Sequence, residues 1–234
     1  MAEPPHSPEP SDPVSASGTA RPRGPAVPPA GGGVVTSLAI VVAGRSAREA
    51  LALVAEATGS VPAGARLEYL VLDDHGDPGR RALFEALRSV SDTTHFVPRP
   101  DGGRAAELDA LTVAATGDFV VVVGERVDLL EVLGTALGVM WVDGADAAVV
   151  GADAGLPGPD AGPPGPDAAG RLAAYLGIGT TAPGGQMVVI RRWVARWLLS
   201  EIERAVDPAE EFADRGRLLG FGMVELSATG HPLR

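Results

Sequence analysis

The hydrophobic pattern from residue 34 onward alternates short apolar runs with longer stretches of helical spacing. Runs rich in Val, Leu and Ile predict strands at 34–43, 67–72, 95–97, 119–123 and 147–150. Between these runs apolar residues recur every three or four positions, which predicts helices; examples are Leu51 with Val54, Leu83 with Leu87, and Leu133 with Leu137. Alternating strands and helices predict an α/β fold whose sheet is mostly parallel and flanked by helices.

The stretch 101–128 is the most informative part of this pattern and reads DGGRAAELDALTVAATGDFVVVVGERVD. A turn at Gly102-Gly103 leads into a predicted helix over 104–115, which breaks at Thr116-Gly117 before the strand 119–123. That strand has no polar alternation, so both of its faces are expected to be covered, as in a central strand. Ligands of open α/β sheets bind beyond the carboxyl ends of the strands, which directs attention to Gly124-Glu125-Arg126.

The pattern changes after residue 150. The sequence PGPDAG near 157 returns as PGPDAA near 164, which predicts a flexible, exposed Pro/Gly-rich loop over 151–170. Beyond this loop we expect a short helix at 171–176, a strand at 187–190, an amphipathic helix at 193–205, a polar acidic segment at 207–214 and a final apolar segment at 218–226.

The first 33 residues are rich in Pro, Ser, Ala and Gly, which predicts a disordered tail ahead of a single domain over 34–234. They lack the basic start and apolar core of a secretory signal, and the run 34–43 is too short to span a membrane. A cytoplasmic protein is expected. Membrane association stays open, because Trp193 and Trp197 lie one helical turn apart beside Arg191 and Arg192, which suits either a membrane-facing or partner-facing helix or an ordinary core edge.

Composition removes several classes of chemistry. The net charge of −11 argues against a nucleic-acid partner, which requires a basic face. There is no Cys, and all 19 basic residues are Arg. Thiol catalysis, disulfides, Cys-ligated zinc, Schiff-base lysines and the P-loop lysine are therefore excluded.

Four segments together resemble the family 2 glycosyltransferases of the GT-A fold, over about residues 36 to 231. They read LEYLVLDDHGDP, DGGRAAELDALTVAATGDFVVVV, GGQMVVIRRWV and EEFADRGRLLGFGMVEL. The resemblance implies that Asp73 and Asp74 lie near the nucleotide base and ribose. It also implies that Arg104 and Asp109, the latter where an Asn is usual, belong to the nucleotide-sugar site.

The C-terminal part of this resemblance implies that Glu210 or Glu211 stands near the catalytic base. A carboxylate in that place suits the deprotonation of an acceptor hydroxyl. A solvated acidic helix start is the alternative for the same two residues. By the same resemblance, His231 occupies a position at which some members ligate a metal.

The chain departs from the family where an Asp-x-Asp motif is usual, because those positions read Gly124-Glu125-Arg126. A divalent cation such as Mn²⁺ or Mg²⁺ needs anionic oxygen ligands, and this change removes two of them. Glu125, Asp128 and His231 remain as metal candidates. Arg126 is instead able to neutralise a diphosphate directly, and a decayed site with Arg126 as a surface charge is the other interpretation.

The implied function is the transfer of a sugar from a nucleotide-diphosphate sugar to a hydroxyl acceptor, such as a glycan. The alternative is a catalytically inactive glycosyltransferase-like protein that binds a nucleotide, a glycan or a partner enzyme. A nucleotidyltransferase-like domain is a third alternative, although the chain lacks both a Lys and a Gly-rich phosphate loop near the first strand.

Overall fold

A computed structural model describes the chain over residues 37–41, 47–60, 66–73, 85, 87–88, 93–124, 127–151, 167–179 and 186–233. The predicted tail and most of the Pro/Gly-rich loop lie outside these residues. The strands are β1 (Ser37–Val41), β2 (Arg66–Asp73), β3 (Thr94–Pro98), β4 (Phe119–Val123), β5 (Ala147–Val150), β6 (Met187–Arg191) and β7 (Met223–Leu226). The α-helices are α1 (Ala47–Ser60), α2 (Gly103–Ala114), α3 (Leu133–Asp143), α4 (Ala168–Leu176), α5 (Arg192–Leu199) and α6 (Pro208–Leu219).

The seven strands form one mixed sheet in the order β3-β2-β1-β4-β6-β5-β7. Strand β6 is antiparallel to both of its neighbours, with Met187 opposite Val123 and Arg191 opposite Phe119. The remaining pairs are parallel. The prediction of strands alternating with helices is therefore confirmed as an α/β fold, whereas the prediction of a mostly parallel sheet is corrected to a mixed one.

The direction of α4 explains the reversal of β6. At its start, Asp167 forms an ion pair with Arg217 near the end of α6, and at its end the carbonyl of Leu176 accepts a hydrogen bond from Arg104 in the first turn of α2. Because α6 ends where β7 begins and α2 begins where β3 ends, α4 runs from the amino edge of the sheet to its carboxyl edge. The next strand must therefore run in the opposite direction.

Two hydrophobic layers cover the two faces of the sheet. Helices α2, α4, α5 and α6 pack on one face, where Leu108, Leu172 and Phe212 are fully buried. Helices α1 and α3 and the 3-10 helix Val127–Val132 pack on the other. All five residues of β4 are buried between these layers, which confirms the prediction of a central strand covered on both faces.

The predicted Gly-Gly turn and the break before β4 are both confirmed. Gly102 and Gly103 have φ values of 130° and 76°, a region that favours glycine, and α2 begins at Gly103. Helix α2 ends at Ala114, and Thr116-Gly117 then turn toward β4. The buried carboxylate of Glu68 holds this turn by accepting hydrogen bonds from the amides of Thr116 and Gly117, at 2.7 and 2.6 Å, and from the Thr116 hydroxyl.

The C-terminal helices differ from the prediction. The helix expected over 193–205 ends at Leu199, because Ser200 takes an extended ψ of 118°. Glu201 then has a left-handed φ of 56°, and only the 3-10 turn Ile202–Arg204 follows. The expected polar acidic segment is in fact the first half of α6. The Asp207 side chain caps this helix by accepting hydrogen bonds from the amides of Ala209 and Glu210, and Phe212 anchors it in the core.

A close helix contact at Gly216 yields a stability prediction. A Cβ atom added at this position would overlap the Cβ of Ala169. Helices α4 and α6 can therefore approach this closely only because Gly216 has no side chain. We expect Gly216→Ala to lower the free energy of unfolding by about 1–3 kcal/mol in urea titrations, because the strain exceeds the gain in helix propensity. The matched control is Gly134→Ala in α3, where a Cβ would meet no atom within 4 Å. An equally stable Gly216→Ala variant would contradict this packing.

Candidate functional site

The candidate site lies at the carboxyl edge of the sheet, where β2 and β4 end on either side of β1. Asp73 is the last residue of β2, and the amide of Gly124, directly after β4, donates to the carbonyl of Gln186 at 2.8 Å. Asp74, Glu125 and Arg126 lie outside the described residues, as does the side chain of Asp73. Their chain positions follow β2 and β4, so this edge is where the sequence predicts them to act.

Arg104 lies in the first turn of α2 and links two helices at this edge. Its Nε donates to the Leu176 carbonyl at 3.2 Å, and its Nη1 lies 3.5 Å from the Glu107 carboxylate, which also pairs with Arg99. Burial lowers the pKa of Arg104, and the charge of Glu107 opposes that shift. The described contacts of Arg104 thus hold α2 against the end of α4.

Asp109 lies farther along α2, about 9 Å from the start of the helix at a rise of 1.5 Å per residue. Its pKa is raised, first by burial and then by the negative charge of Glu203. Arg196 and Arg215 act in the opposite direction. The charged surroundings of Asp109 therefore belong to α5, α6 and the turn between them, and its predicted role in nucleotide-sugar binding stays a prediction.

Glu210 and Glu211 both lie in the first turn of α6, but their surroundings differ. The Glu211 carboxylate accepts a hydrogen bond from Arg215 Nε at 2.7 Å. Arg215 in turn donates to the carbonyls of Trp197 and Ser200 at the end of α5. Glu211 thus helps to fasten α6 to α5, whereas Glu210 is exposed and is not part of that ion pair.

The metal candidates lie at separate positions in the chain. Asp128 is exposed in the 3-10 helix after β4, and His231 is exposed after β7, where its amide donates to the Ser227 hydroxyl. Glu125 lies outside the described residues. Within the described ranges, no group of three or more His, Asp or Glu side chains is placed to hold a metal ion. We therefore derive no chemical step through a metal.

Gln186 is a polar group at this edge that the sequence interpretation missed. It directly precedes β6 and is only 5% exposed, and its Oε1 has no hydrogen-bond partner among the described residues. A buried amide oxygen without a donor is costly, so it calls for an explanation such as a bound group. The only indication of this group in the sequence was a polar residue directly before the predicted apolar strand at 187–190.

Comparisons with known proteins connect the chain to others through structure alone. No protein-family model matches the sequence, and no curated protein matches it significantly. Among solved structures, S. aureus TarS 1-349 superposes with a TM-score of 0.50 and 14% identity, over 82% of this chain and 58% of that one. This likeness shows a shared fold. The chain spans little more than half of that TarS fragment.

Two further solved structures resemble the chain at lower scores. Glucosyl-3-phosphoglycerate synthase from Mycobacterium tuberculosis, in complex with Mg²⁺ and UDP, has a TM-score of 0.48 and 13% identity over 82% of this chain and 69% of that one. A putative nucleotide-diphospho-sugar transferase from Desulfovibrio desulfuricans G20 has a TM-score of 0.44 and 13% identity, over 82% and 79% of the two chains.

The helices were also compared with the dimensions of a bilayer. Among the residues that the structure describes, none of the helices is long and apolar enough to cross a membrane.

Proposed function

We propose that this chain is a GT-A-type protein, similar to family 2 glycosyltransferases, that binds a nucleotide-diphosphate sugar and transfers the sugar to a hydroxyl acceptor. The arrangement of the sheet is the observation that supports it. Strands β2 and β4 flank β1 and end at one edge, where the reversed β6 begins with the buried Gln186. In open α/β sheets such an edge is where ligands bind.

In this proposal the nucleotide lies at the end of β2 and the diphosphate at the end of β4. Asp73 and Asp74 accept hydrogen bonds from the nucleotide, and Arg126 binds the diphosphate oxygens. A guanidinium group suits this task because it forms two parallel charge-assisted hydrogen bonds. Arg104 and Asp109 act as supporting groups on α2, and the side-chain Oε1 of Gln186 accepts a hydrogen bond from the bound donor.

Of the two acidic residues in the first turn of α6, Glu210 is the proposed base. A base must be able to approach the acceptor hydroxyl and take its proton. The carboxylate of Glu211 is bound by Arg215, which also binds the end of α5. Glu210 lies in the same first turn and is not part of that ion pair.

Calorimetric titration with UDP, GDP, UDP-glucose and GDP-mannose, with Mn²⁺ and with chelator, tests the proposed donor site. We expect one nucleotide series to bind in both conditions, and Arg126→Ala to weaken binding about tenfold or more, because a charge-assisted contact contributes about 1.5–3 kcal/mol. Arg204→Ala, which removes an exposed side chain of the turn after α5, is the control. If no nucleotide binds in either condition, the donor site is wrong.

A second candidate is a catalytically inactive protein of the same fold that binds a nucleotide sugar or a partner enzyme. The specific observation in its favour is that Gly124-Glu125-Arg126 stands where the family has Asp-x-Asp, while Glu211 is engaged by Arg215. The two candidates differ in turnover. Nucleotide binding without release of sugar, to water or to any acceptor tried, favours the inactive protein.

A further inference from the structure

A cavity of about 590 Å³ lies between α5 and α6. It is lined by Trp193, Arg196, Trp197, Ser200 and Arg215, and we call it the tryptophan groove. The inner side of α5 packs into the core through Val194, Ala195, Leu198 and Leu199. The groove therefore occupies the opposite side of the helix, and its volume is within the ~300–1,000 Å³ typical of ligand sites.

The two indole rings differ in their surroundings, because Trp193 packs against the edge of the core and Trp197 does not. Trp197 is 41% exposed, which is unusual for so large an apolar side chain. Trp193 is half-buried, and its Nε1 is enclosed without an acceptor among the described residues. An indole N–H left unsatisfied costs about 1–3 kcal/mol, and buried tryptophans usually find a partner for it.

The charges around the groove decide what kind of ligand fits. Arg196 and Arg215 are the cations of its lining, and Glu211 pairs with Arg215 at 2.7 Å. The carboxylate of Asp109 is influenced by both arginines and by Glu201 and Glu203. The two cations of the lining are thus matched by the carboxylates of Glu211 and Asp109, while Glu201 and Glu203 pair with Arg204. The groove therefore offers neither a surplus of positive charge to an anionic ligand nor a carboxylate-lined surface to a cation.

An uncharged ligand with a flat apolar face and many hydroxyl groups suits this lining. A sugar ring packs its C–H face against an indole ring, and its hydroxyls accept hydrogen bonds from guanidinium groups and donate them to carboxylates. We propose that the tryptophan groove binds a neutral oligosaccharide, which forms part of a glycan acceptor. The choice of a glycan over a peptide rests on the proposed function.

The chain offers a built-in reporter for this binding. It contains three tryptophans, and two of them line the groove. The third, Trp141 on α3, packs against Phe119 on the other face of the sheet at a ring-centroid distance of 6.5 Å. In a Trp141→Phe variant all tryptophan fluorescence therefore comes from the groove.

We would titrate this variant with maltotetraose, cellotetraose, mannotetraose and N-acetylchitotetraose. We expect a saturable change in fluorescence with at least one of them. In calorimetry of the otherwise unchanged chain, Trp197→Ala should weaken that sugar about tenfold or more, which corresponds to about 1.4 kcal/mol. Val142→Ala, at an exposed apolar position on α3, should bind the sugar as the unchanged chain does. UDP and GDP binding should be unaffected by Trp197→Ala.

Other outcomes overturn the inference. It is wrong if none of the four sugars binds, or if Trp197→Ala leaves sugar binding intact. It is also wrong if the groove fluorescence responds only to a synthetic peptide of residues 1–33 or only to phosphatidylglycerol vesicles. Sugar binding at the groove without any nucleotide binding would retain this inference and remove the proposed donor site, so the two failures are distinguishable.

Discussion

Replacing Glu68 by Ala is expected to lower the free energy of unfolding by about 3 kcal/mol. The Glu68 carboxylate is 4% exposed, and its two oxygens satisfy the turn at Thr116-Gly117. One of them also lies 3.1 Å from Nε2 of His95 on β3. Without the Glu68 carboxylate, the buried amide of Gly117 and the partly buried amide of Thr116 lose their acceptor at the entrance to β4, a strand on which both hydrophobic layers pack.

Urea denaturation followed by far-UV circular dichroism measures this effect. Glu68→Gln keeps the shape and one carbonyl oxygen, so a smaller loss of about 1–2 kcal/mol is expected. Glu131→Ala, at an exposed position, should change stability by less than about 0.5 kcal/mol. If Glu68→Ala is as stable as Glu131→Ala, the carboxylate does not support the turn.

Replacing Glu210 by Gln is expected to lower sugar transfer by about 10²–10⁴-fold, the usual contribution of a general base. Glutamine keeps the size of the side chain and cannot take the proton of the acceptor. Donor affinity should not change, because this residue is proposed to act on the acceptor. The measurement is the rate of UDP or GDP release from the donor sugar that binds in calorimetry, with acceptors and with water alone.

Glu211→Gln is the matched comparison for Glu210→Gln. It weakens the ion pair with Arg215, so it should lower stability modestly and reduce transfer far less than Glu210→Gln. Equal turnover in Glu210→Gln and the unchanged protein would remove Glu210 from the mechanism. If only Glu211→Gln abolished transfer, the roles of the two residues would have to be exchanged.

Features specified by neighbouring residues were predictable from the sequence. The unbroken apolar run at 119–123 indicated a strand covered on both faces, and all of its residues are buried. Gly102-Gly103 indicated a turn that starts a helix, and both residues have positive φ. In each case the conformation follows from the local pattern or from the absence of a Cβ.

Features set by distant contacts were not predictable in the same way. The direction of β6 depends on how α4 crosses the sheet. The acidic residues after Asp207 suggested a polar segment, but Phe212 carries enough buried surface to fix them on a helix. Glu68 and Gln186 are isolated polar residues at strand positions, and only the folded arrangement reveals what surrounds them.

The sequence predicted a location for the candidate site, but it did not predict which side chains contact one another there. Strand ends after β2 and β4 lie at one edge of the sheet, as the pattern of the chain indicated. The roles of Asp73, Asp74, Glu125 and Arg126 stay predictions. The contact of Arg104 with the Leu176 carbonyl lies between two helices, so no local motif indicates it, whereas the Glu211–Arg215 pair has the i,i+4 spacing of one helix.

Hydrogen–deuterium exchange of the full chain, with and without saturating UDP or GDP, tests whether a nucleotide binds at the carboxyl edge of the sheet. Slower amide exchange is expected at 72–74, 102–104 and 123–126 when nucleotide is added, since these segments follow or flank the ends of β2, β3 and β4. Protection confined to α5 and α6, or no protection at any segment, would contradict a nucleotide-sugar site at the carboxyl edge of the sheet.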